Sequence, residues 1–353
     1  MIHGPVSALL AKGRTLVLDG AIGTELSRRG VDTGLPLWSA RALLDAPDVL
    51  MRIHRDYIDA GADIITTDTF RTTRRTFQRA GMRDQSAELT RRAVDLVHAS
   101  RAFYPQRTVL VAGSLGPLED CYRPDLVPPD TALQEEHAEH ARRLAEAGVD
   151  FVFLETFGTI REARQACEAA LATGKEVVVS FLCKADGNLY SGETLEDAVA
   201  AIFPLHPTGY GLNCVPARSM AVPLSILRTV LKKLPVDATQ TDTGTTKTRR
   251  IEIGRDGNPG TIQGHLLRRD RRAESSSKPG ADRSTDPCIV VYANVGRPGE
   301  ELSGTLVLDV EPEEYGRLAR EWVRHGAHIV GGCCGTTPEH IAAVARTLTS
   351  PGP

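Results

Sequence analysis

Eight short runs of mostly β-branched and aliphatic residues recur along this chain, each separated from the next by enough sequence for a helix. That rhythm restricts the fold more than any other feature. The runs are residues 15–20, 62–70, 108–113, 150–157, 176–183, 209–214, 288–296 and 328–334. They are close to continuously apolar, as parallel strands buried on both faces are. Amphipathic stretches lie between them at 42–60, 84–103, 131–147, 160–173, 217–234 and 313–325. Gly61, Gly148 and Gly326 each stand between such a stretch and the next run, where a glycine at the helix C′ position explains the stop. Eight strands, each followed by a helix, predict a (β/α)8 TIM barrel in a single domain spanning 1–353. A doubly wound open sheet is the runner-up. It would more often bring a glycine-rich phosphate loop after its first strand, and Gly20-Ala21-Ile22-Gly23 is too sparse for one.

The segment 236–287 breaks the rhythm. It is rich in Thr, Ser, Gly, Asp and Arg, has few aliphatics and shows no period. Such a composition does not repay the entropy of ordering, so a disordered, low-complexity insertion is expected in the connection before strand seven, on the barrel face away from the chemistry. A basic cluster at Arg268-Arg269-Asp270-Arg271-Arg272 raises a nucleic-acid role, but neighbouring acids nearly cancel it; an artefact of gene prediction is a further reading. The formal charge of −3 gives no reason to expect a polyanion or an anionic membrane as partner. No apolar run approaches the roughly 20 residues a membrane span needs, and the first 15 residues lack a signal peptide's basic start and apolar core. Seven cysteines, an odd number in a long chain, do not read as a disulfide framework. A reducing cytoplasm is the expected location, while oligomeric state is left open.

In a barrel of this kind, chemistry gathers at the C-terminal ends of the strands. There the sequence places Asp19, Asp68, Ser114, Glu155, Asn213-Cys214, Asn294 and Cys333-Cys334. A lone cysteine in a core strand is usually a small buried hydrophobe, the reading kept for Cys121, Cys167, Cys183 and Cys288. It fits Cys333 and Cys334 poorly. Consecutive strand residues face opposite ways, so both reach one point only where the strand has ended, and Gly331, Gly332 and Gly335 give the backbone that freedom. Strands six and eight lie two apart around the rim, which brings Cys214 within reach. Three thiolates around one zinc ion per chain would leave a fourth position open, the pattern of a catalytic rather than a structural metal. A redox-active vicinal pair is the competing reading.

The motifs Asp19-Gly20-Ala21-Ile22-Gly23-Thr24-Glu25-Leu26, Gly113-Ser114-Leu115-Gly116-Pro117, Gly211-Leu212-Asn213-Cys214 and Gly331-Gly332-Cys333-Cys334-Gly335, in this order, resemble those of the homocysteine S-methyltransferase family. The resemblance spans nearly the whole chain outside 236–287. It implies a zinc-dependent barrel enzyme that methylates homocysteine to methionine, with the zinc thiolates on Cys214, Cys333 and Cys334. Asp19 and Glu155 are the carboxylate candidates for the substrate ammonium by rim position, and the resemblance supports that role for both; a rim ion pair or a helix N-cap is the competing reading of each. Backbone N–H groups at 21–23 and 114–116 are candidates for the substrate carboxylate. Asn213 reads as orienting the site or the substrate, or as a structural turn residue, and Asn294 as a weaker case of the same. No protein nucleophile is needed, because the substrate's sulfur attacks as thiolate, the reactive form. Two positions depart from the family's pattern. Asp68 stands where Asn or Ser is more usual, adding a charge for a cationic group or pairing with Arg71 or Arg74. Ala293 replaces a proline, which is expected to loosen the exit of strand seven.

The chain holds the homocysteine barrel and little else, whereas folate- and cobalamin-dependent methionine synthases resemble it only in one module. A small methyl donor is therefore expected. Leu37-Trp38-Ser39-Ala40 and His54-Arg55-Asp56-Tyr57 resemble the branch that uses S-methylmethionine or S-adenosylmethionine. Betaine is the alternative donor, though the C-terminal arm of the betaine enzymes has no counterpart after 341–353. From another class, a zinc-binding barrel without turnover would act as a subunit or regulator.

Overall fold

The structure, a computed structural model, describes residues 4–82, 85–234, 286–296 and 309–349. All eight predicted strands form: β1 (Leu16–Val17), β2 (Ile64–Thr66), β3 (Leu110–Leu115), β4 (Phe151–Phe157), β5 (Val177–Leu182), β6 (Gly209–Pro216), β7 (Cys288–Asn294) and β8 (Ile329–Gly332). They pair in parallel in the order β1-β8-β7-β6-β5-β4-β3-β2. A parallel bridge between Leu18 and Ile64 joins the two ends, with Asp19 N–H donating to Ile64 O at 3.0 Å and Asp63 N–H to Val17 O at 2.7 Å. The sheet is thus a barrel, and the open-sheet alternative is set aside. The expected insertion at 236–287 lies outside the described residues apart from Asp286 and Pro287.

The helices are α1 (Pro5–Leu10), α2 (Gly23–Arg28), α3 (Ala42–Asp45), α4 (Pro47–Asp59), α5 (Arg74–Arg79), α6 (Ser86–Arg101), α7 (Asp130–Ala147), α8 (Ile160–Leu171), α9 (Leu195–Ile202), α10 (Ala221–Lys233), α11 (Pro312–Arg324) and α12 (Pro338–Thr349). The stretch at 42–60, expected as one helix, is two. Pro47 opens α4 while Ala46, at φ −146° and ψ 44°, ends α3, because proline suits the first turn of a helix and not its interior. Gly61, Gly148 and Gly326 are left-handed, at φ 109°, 91° and 102°, as helix-ending glycines are.

Alternation along the strands sorts the side chains into two layers. Val17, Ile65, Val111, Val152, Val179 and Val291 pack outward against the helices, whereas Leu16, Leu18, Ile64, Leu110, Phe151 and Val290 fill the barrel. Val6 and Leu9 of α1 join the inner layer, so this short helix, absent from the predicted elements, plugs one end. Glu176, 1% exposed at the foot of β5, fastens it. Its carboxylate accepts from Val6 N–H at 2.8 Å and Ser7 N–H at 2.9 Å, satisfying donors that a helix start leaves unpaired. The opposite end, where the strands finish, holds the cysteines.

Candidate metal centre

Cys214, Cys333 and Cys334 converge, with all three sulfurs within 4.8 Å of one another. Cys214 Sγ lies 2.8 Å from Cys333 Sγ, and Cys333 Sγ lies 4.0 Å from Cys334 Sγ. None of the seven cysteines is in a disulfide. Local backbone produces the convergence. β8 ends at Gly332, and Gly335, at φ 81°, turns the chain after the pair, as the flanking glycines predict. Cys214 arrives differently, since β6 continues to Pro216 with an irregular register against β7 between Asn213 and Pro216. Leu212 faces the helices, so strict alternation would send Cys214 that way too. Instead Cys214 adopts φ 54°, a left-handed conformation costly for a non-glycine residue, and its sulfur joins the other two.

The amide of Asn213 holds that conformation. Its Oδ1 accepts from Ser180 Oγ at 2.8 Å and Thr156 N–H at 3.2 Å, and its Nδ2 donates to Thr156 Oγ1 at 2.8 Å and Cys214 Sγ at 3.3 Å. Thr156, also left-handed at φ 68°, is thereby tied to the cysteine loop. Asn213 is fully buried and its amide is committed to these bonds. Asn294 is equally buried; its Nδ2 donates to Cys214 O at 3.4 Å, and its Oδ1 has no partner among the described residues. Ala293, where a loosened strand exit is expected, makes a backbone hydrogen bond of its own. Its N–H, which a proline lacks, donates to Tyr315 Oη at 3.1 Å, while that hydroxyl lies 2.8 Å from Gly331 O.

The sulfurs line a cavity together with Asp19, Asp68, Ser114, Glu155, Thr156 and Tyr292. Four of the sequence-predicted polar residues therefore meet there. Asp19, 1% exposed, accepts from Thr66 N–H at 2.8 Å, yet burial holds its carboxyl well above the usual range. Burial likewise pushes Glu155 up to about 7 against the opposing hydrogen bond from Ser114 Oγ, and the nearby charge of Cys333 adds to the rise. Asp68, 2% exposed, is pushed up to about 6 by burial, with a hydrogen bond from Ser39 acting against it. Asp19 does not cap a helix, since Ile22 occupies the N-cap of α2. Asp68 pairs with neither candidate arginine, for Arg74 bridges to Glu139 and Arg71 stacks over Phe70 at 5.7 Å. Of the backbone donors considered, Ala21 N–H is taken by Thr336 Oγ1 at 3.2 Å.

Two rings form the outer wall. Trp38 and Phe70 meet edge to face with centroids 6.0 Å apart. A β-carbon on Gly23 would come within 2.4 Å of the Trp38 ring, and one on Gly116 within 2.4 Å of the Phe70 ring. The glycines of two motifs are thus required for the aromatics to seat. Neither ring was foreseen as a wall residue, and neither was Tyr292, although its place two residues before Asn294 turns it inward by simple alternation. Cys121 corrects an expectation. It is not a core hydrophobe but a partly exposed wall residue packed beside the three cysteines with Tyr122 and Tyr190.

Chemically, three sulfurs this close cannot all ionise without a cation among them. Their mutual hydrogen bonds hold Cys333 well below the ordinary thiol range and drive Cys214 up, so negative charge collects at Cys333. A metal with 2.3 Å bonds to sulfur in tetrahedral array sets its ligand sulfurs about 3.8 Å apart. The observed separations of 2.8 and 4.0 Å bracket that figure. No fourth His, Cys, Asp or Glu joins the cluster among the described residues. The donor set therefore fits a metal held on three sides.

The family model described as homocysteine S-methyltransferase matches residues 16–348. The homocysteine S-methyltransferase of Escherichia coli (strain K12) is 29% identical, with 97% of this chain and 98% of that protein covered. Homocysteine S-methyltransferase 2 of Zea mays is 28% identical over 96% of this chain and 91% of the relative. The selenocysteine methyltransferase of Astragalus bisulcatus is 27% identical over 96% and 94%. Among solved structures, the metallated form of the homocysteine methyltransferase MmuM from Escherichia coli superposes with a TM-score of 0.71 at 27% identity, covering 96% of this chain and 98% of that one. With its family model matched almost end to end on a barrel of the same architecture, the chain belongs to the homocysteine S-methyltransferase family.

Proposed function

We propose that this enzyme transfers a methyl group from a small sulfonium donor, S-methylmethionine or S-adenosylmethionine, to the sulfur of homocysteine, with one zinc ion per chain held by Cys214, Cys333 and Cys334. The observation that carries the reading is the cavity itself, where three sulfurs within 4.8 Å face buried carboxylates and aromatic rings. When bound, zinc supplies the means to keep a substrate thiol ionised at neutral pH.

The remaining work falls to the chain's own residues. Asp19 and Glu155 take the homocysteine ammonium. Burial holds both above their usual range, so a cation beside them offsets the cost of that burial and draws them into the ionised form. Ser114 orients Glu155 through its hydroxyl. Asn213 does not touch substrate in this reading; it aims the Cys214 sulfur. The thiol proton is released to solvent before the transfer step, so the sulfur reacts as thiolate. A sulfur lone pair then forms the new S–CH3 bond while the donor's S–CH3 bond breaks, its electrons cancelling the sulfonium charge. The products are methionine and a neutral thioether. Trp38 and Phe70 keep water from the approach and present ring faces to a positive methyl group.

The test is a donor screen on metal-replete protein, reading methionine formed from homocysteine with and without a chelator. Methionine from a sulfonium donor that is lost on chelation and restored by zinc is the expected result. Turnover with betaine alone would transfer the assignment to that donor. Stoichiometric zinc with no methionine from any donor would favour a binding role, and a thiol–disulfide activity that survives chelation but not alkylation would favour the vicinal-dithiol reading.

A further inference from the structure

The wall beyond the three sulfurs carries two charged groups without an ion-pair partner among the described residues, although Asp68 accepts a hydrogen bond from Ser39. Asp68 follows β2, is 2% exposed and lines the cavity. Its Oδ2 is buried without a hydrogen-bond partner among the described residues. Three residues on, Arg71 lines the same cavity and lies over the Phe70 ring at 5.7 Å, and its Nε is likewise buried and unpartnered among the described residues. Burying a polar atom of a charged group without a hydrogen-bond partner is costly and is seldom retained without a use. By contrast, the arginines of the adjoining helix α5 do find carboxylates, Arg74 with Glu139 and Arg75 with Glu119 and Glu136. In the proposed reading the homocysteine ammonium takes Asp19, which follows β1, and Glu155 of β4, which leaves the wall at Asp68 and Arg71, past the end of β2, for the second reactant.

We infer that Asp68 and Arg71 form a receptor for the α-amino-acid head of the methyl donor, Asp68 taking its ammonium and Arg71 its carboxylate, with the Trp38–Phe70 wall beside the cationic chain. This rests on the methyl-transfer reading and sharpens it. A carboxylate and a guanidinium with unspent valence match a zwitterion, and the guanidinium suits a carboxylate in particular. A sulfonium amino acid satisfies both groups. A donor with a carboxylate but no N–H, such as betaine or dimethylsulfoniopropionate, satisfies only Arg71 and leaves Asp68 Oδ2 buried without a donor. Sites built to hydrogen-bond a substrate group reject analogues lacking it for this reason.

The experiment compares S-methylmethionine with dimethylsulfoniopropionate, which keeps the reactive sulfonium and the carboxylate but has no ammonium, on the full-length, metal-replete enzyme. Asp68→Asn is expected to lower the ratio of kcat/KM for S-methylmethionine over dimethylsulfoniopropionate by about ten- to a hundredfold, the range for a charge-assisted hydrogen bond. Asp68→Ser should reproduce the fall, and Arg71→Gln should depress both donors and leave the ratio within about threefold. Calorimetric binding of S-methylmethionine reads the same contact without turnover, so it stands even if the donor screen shows no methyl transfer. A ratio unmoved by Asp68→Asn with S-methylmethionine binding unchanged would overturn the inference. So would a rise in KM for homocysteine in place of the donor.

Discussion

Hydrogen bonds from neighbours fix the site's side chains, as Ser114 does for Glu155 and Asn213 for Cys214. Asn213 is the clearest case: its four hydrogen bonds tie two left-handed residues, Thr156 and Cys214, on different strands. Asn213→Ala leaves Thr156 N–H without its acceptor, at a cost of about 1–3 kcal/mol. It also frees the Cys214 sulfur, so the denaturation midpoint is expected to fall together with zinc affinity. A variant that loses stability but keeps wild-type affinity would reduce Asn213 to a structural part. Cys333→Ala is expected to abolish zinc retention and turnover together, and retained metal with full activity would remove Cys333 from the ligand set. Glu155 gives a pH dependence whose sign follows from its position. Burial raises its folded-state value to about 7, so between the ordinary carboxylate range and neutrality the free enzyme holds a proton that the unfolded chain releases. Stability from this group therefore falls as pH rises through that window. Ammonium binding needs the ionised form, so affinity for the product methionine, whose thioether does not titrate, should rise from pH 6 to 8. Titration calorimetry checks this, and Glu155→Gln should flatten the profile. The residues themselves were legible where a strand end carries a polar type, as for Asp19, Glu155 and the cysteines. Thr156, Trp38 and Phe70 were not, because a bulged backbone and a ring seated on a distant glycine leave no local pattern.

Among the elements, the barrel strands were the most readable, since each is buried on both faces and so spells out a near-continuous apolar run. Their exits were not. β6 outruns its predicted end by two residues, and a left-handed Cys214 within it undoes the alternation that a period-two reading assumes. Short helices were also missed. α1 has six residues, too few for a periodic signature, and its role depends on Glu176, about 170 residues away. That dependence is testable. Glu176→Ala should release the first N–H groups of α1, lower stability by about 1–3 kcal/mol and speed proteolysis near the N-terminus. Methyl transfer should be little changed, because the plug lies at the end of the barrel opposite the cysteines. Unchanged protease sensitivity would mean that α1 is held by its apolar contacts alone.

At the scale of the whole molecule, the barrel converts residues scattered over more than 300 positions into one cavity, and this explains how far the sequence could be read. The fold was legible because its period repeats eight times. The convergence of the three cysteines was legible because adjacent cysteines flanked by glycines have few structural uses. Which wall faces which reactant was not, for it depends on rotation around a closed ring that no linear spacing encodes. A metal bound only by the folded barrel also couples to global stability. Zinc at a hundred times its dissociation constant should stabilise the native enzyme by about 2.7 kcal/mol, visible as a rise in melting temperature that Cys333→Ala lacks. The most direct test of the three-sulfur site is X-ray absorption at the zinc edge, recorded on the same sample before and after homocysteine is added. Three sulfur ligands and one lighter ligand, becoming four sulfurs with substrate, is the result expected of Cys214, Cys333 and Cys334 holding a metal with one position open. Four sulfurs without substrate, or a sulfur count that homocysteine leaves unchanged, would contradict it.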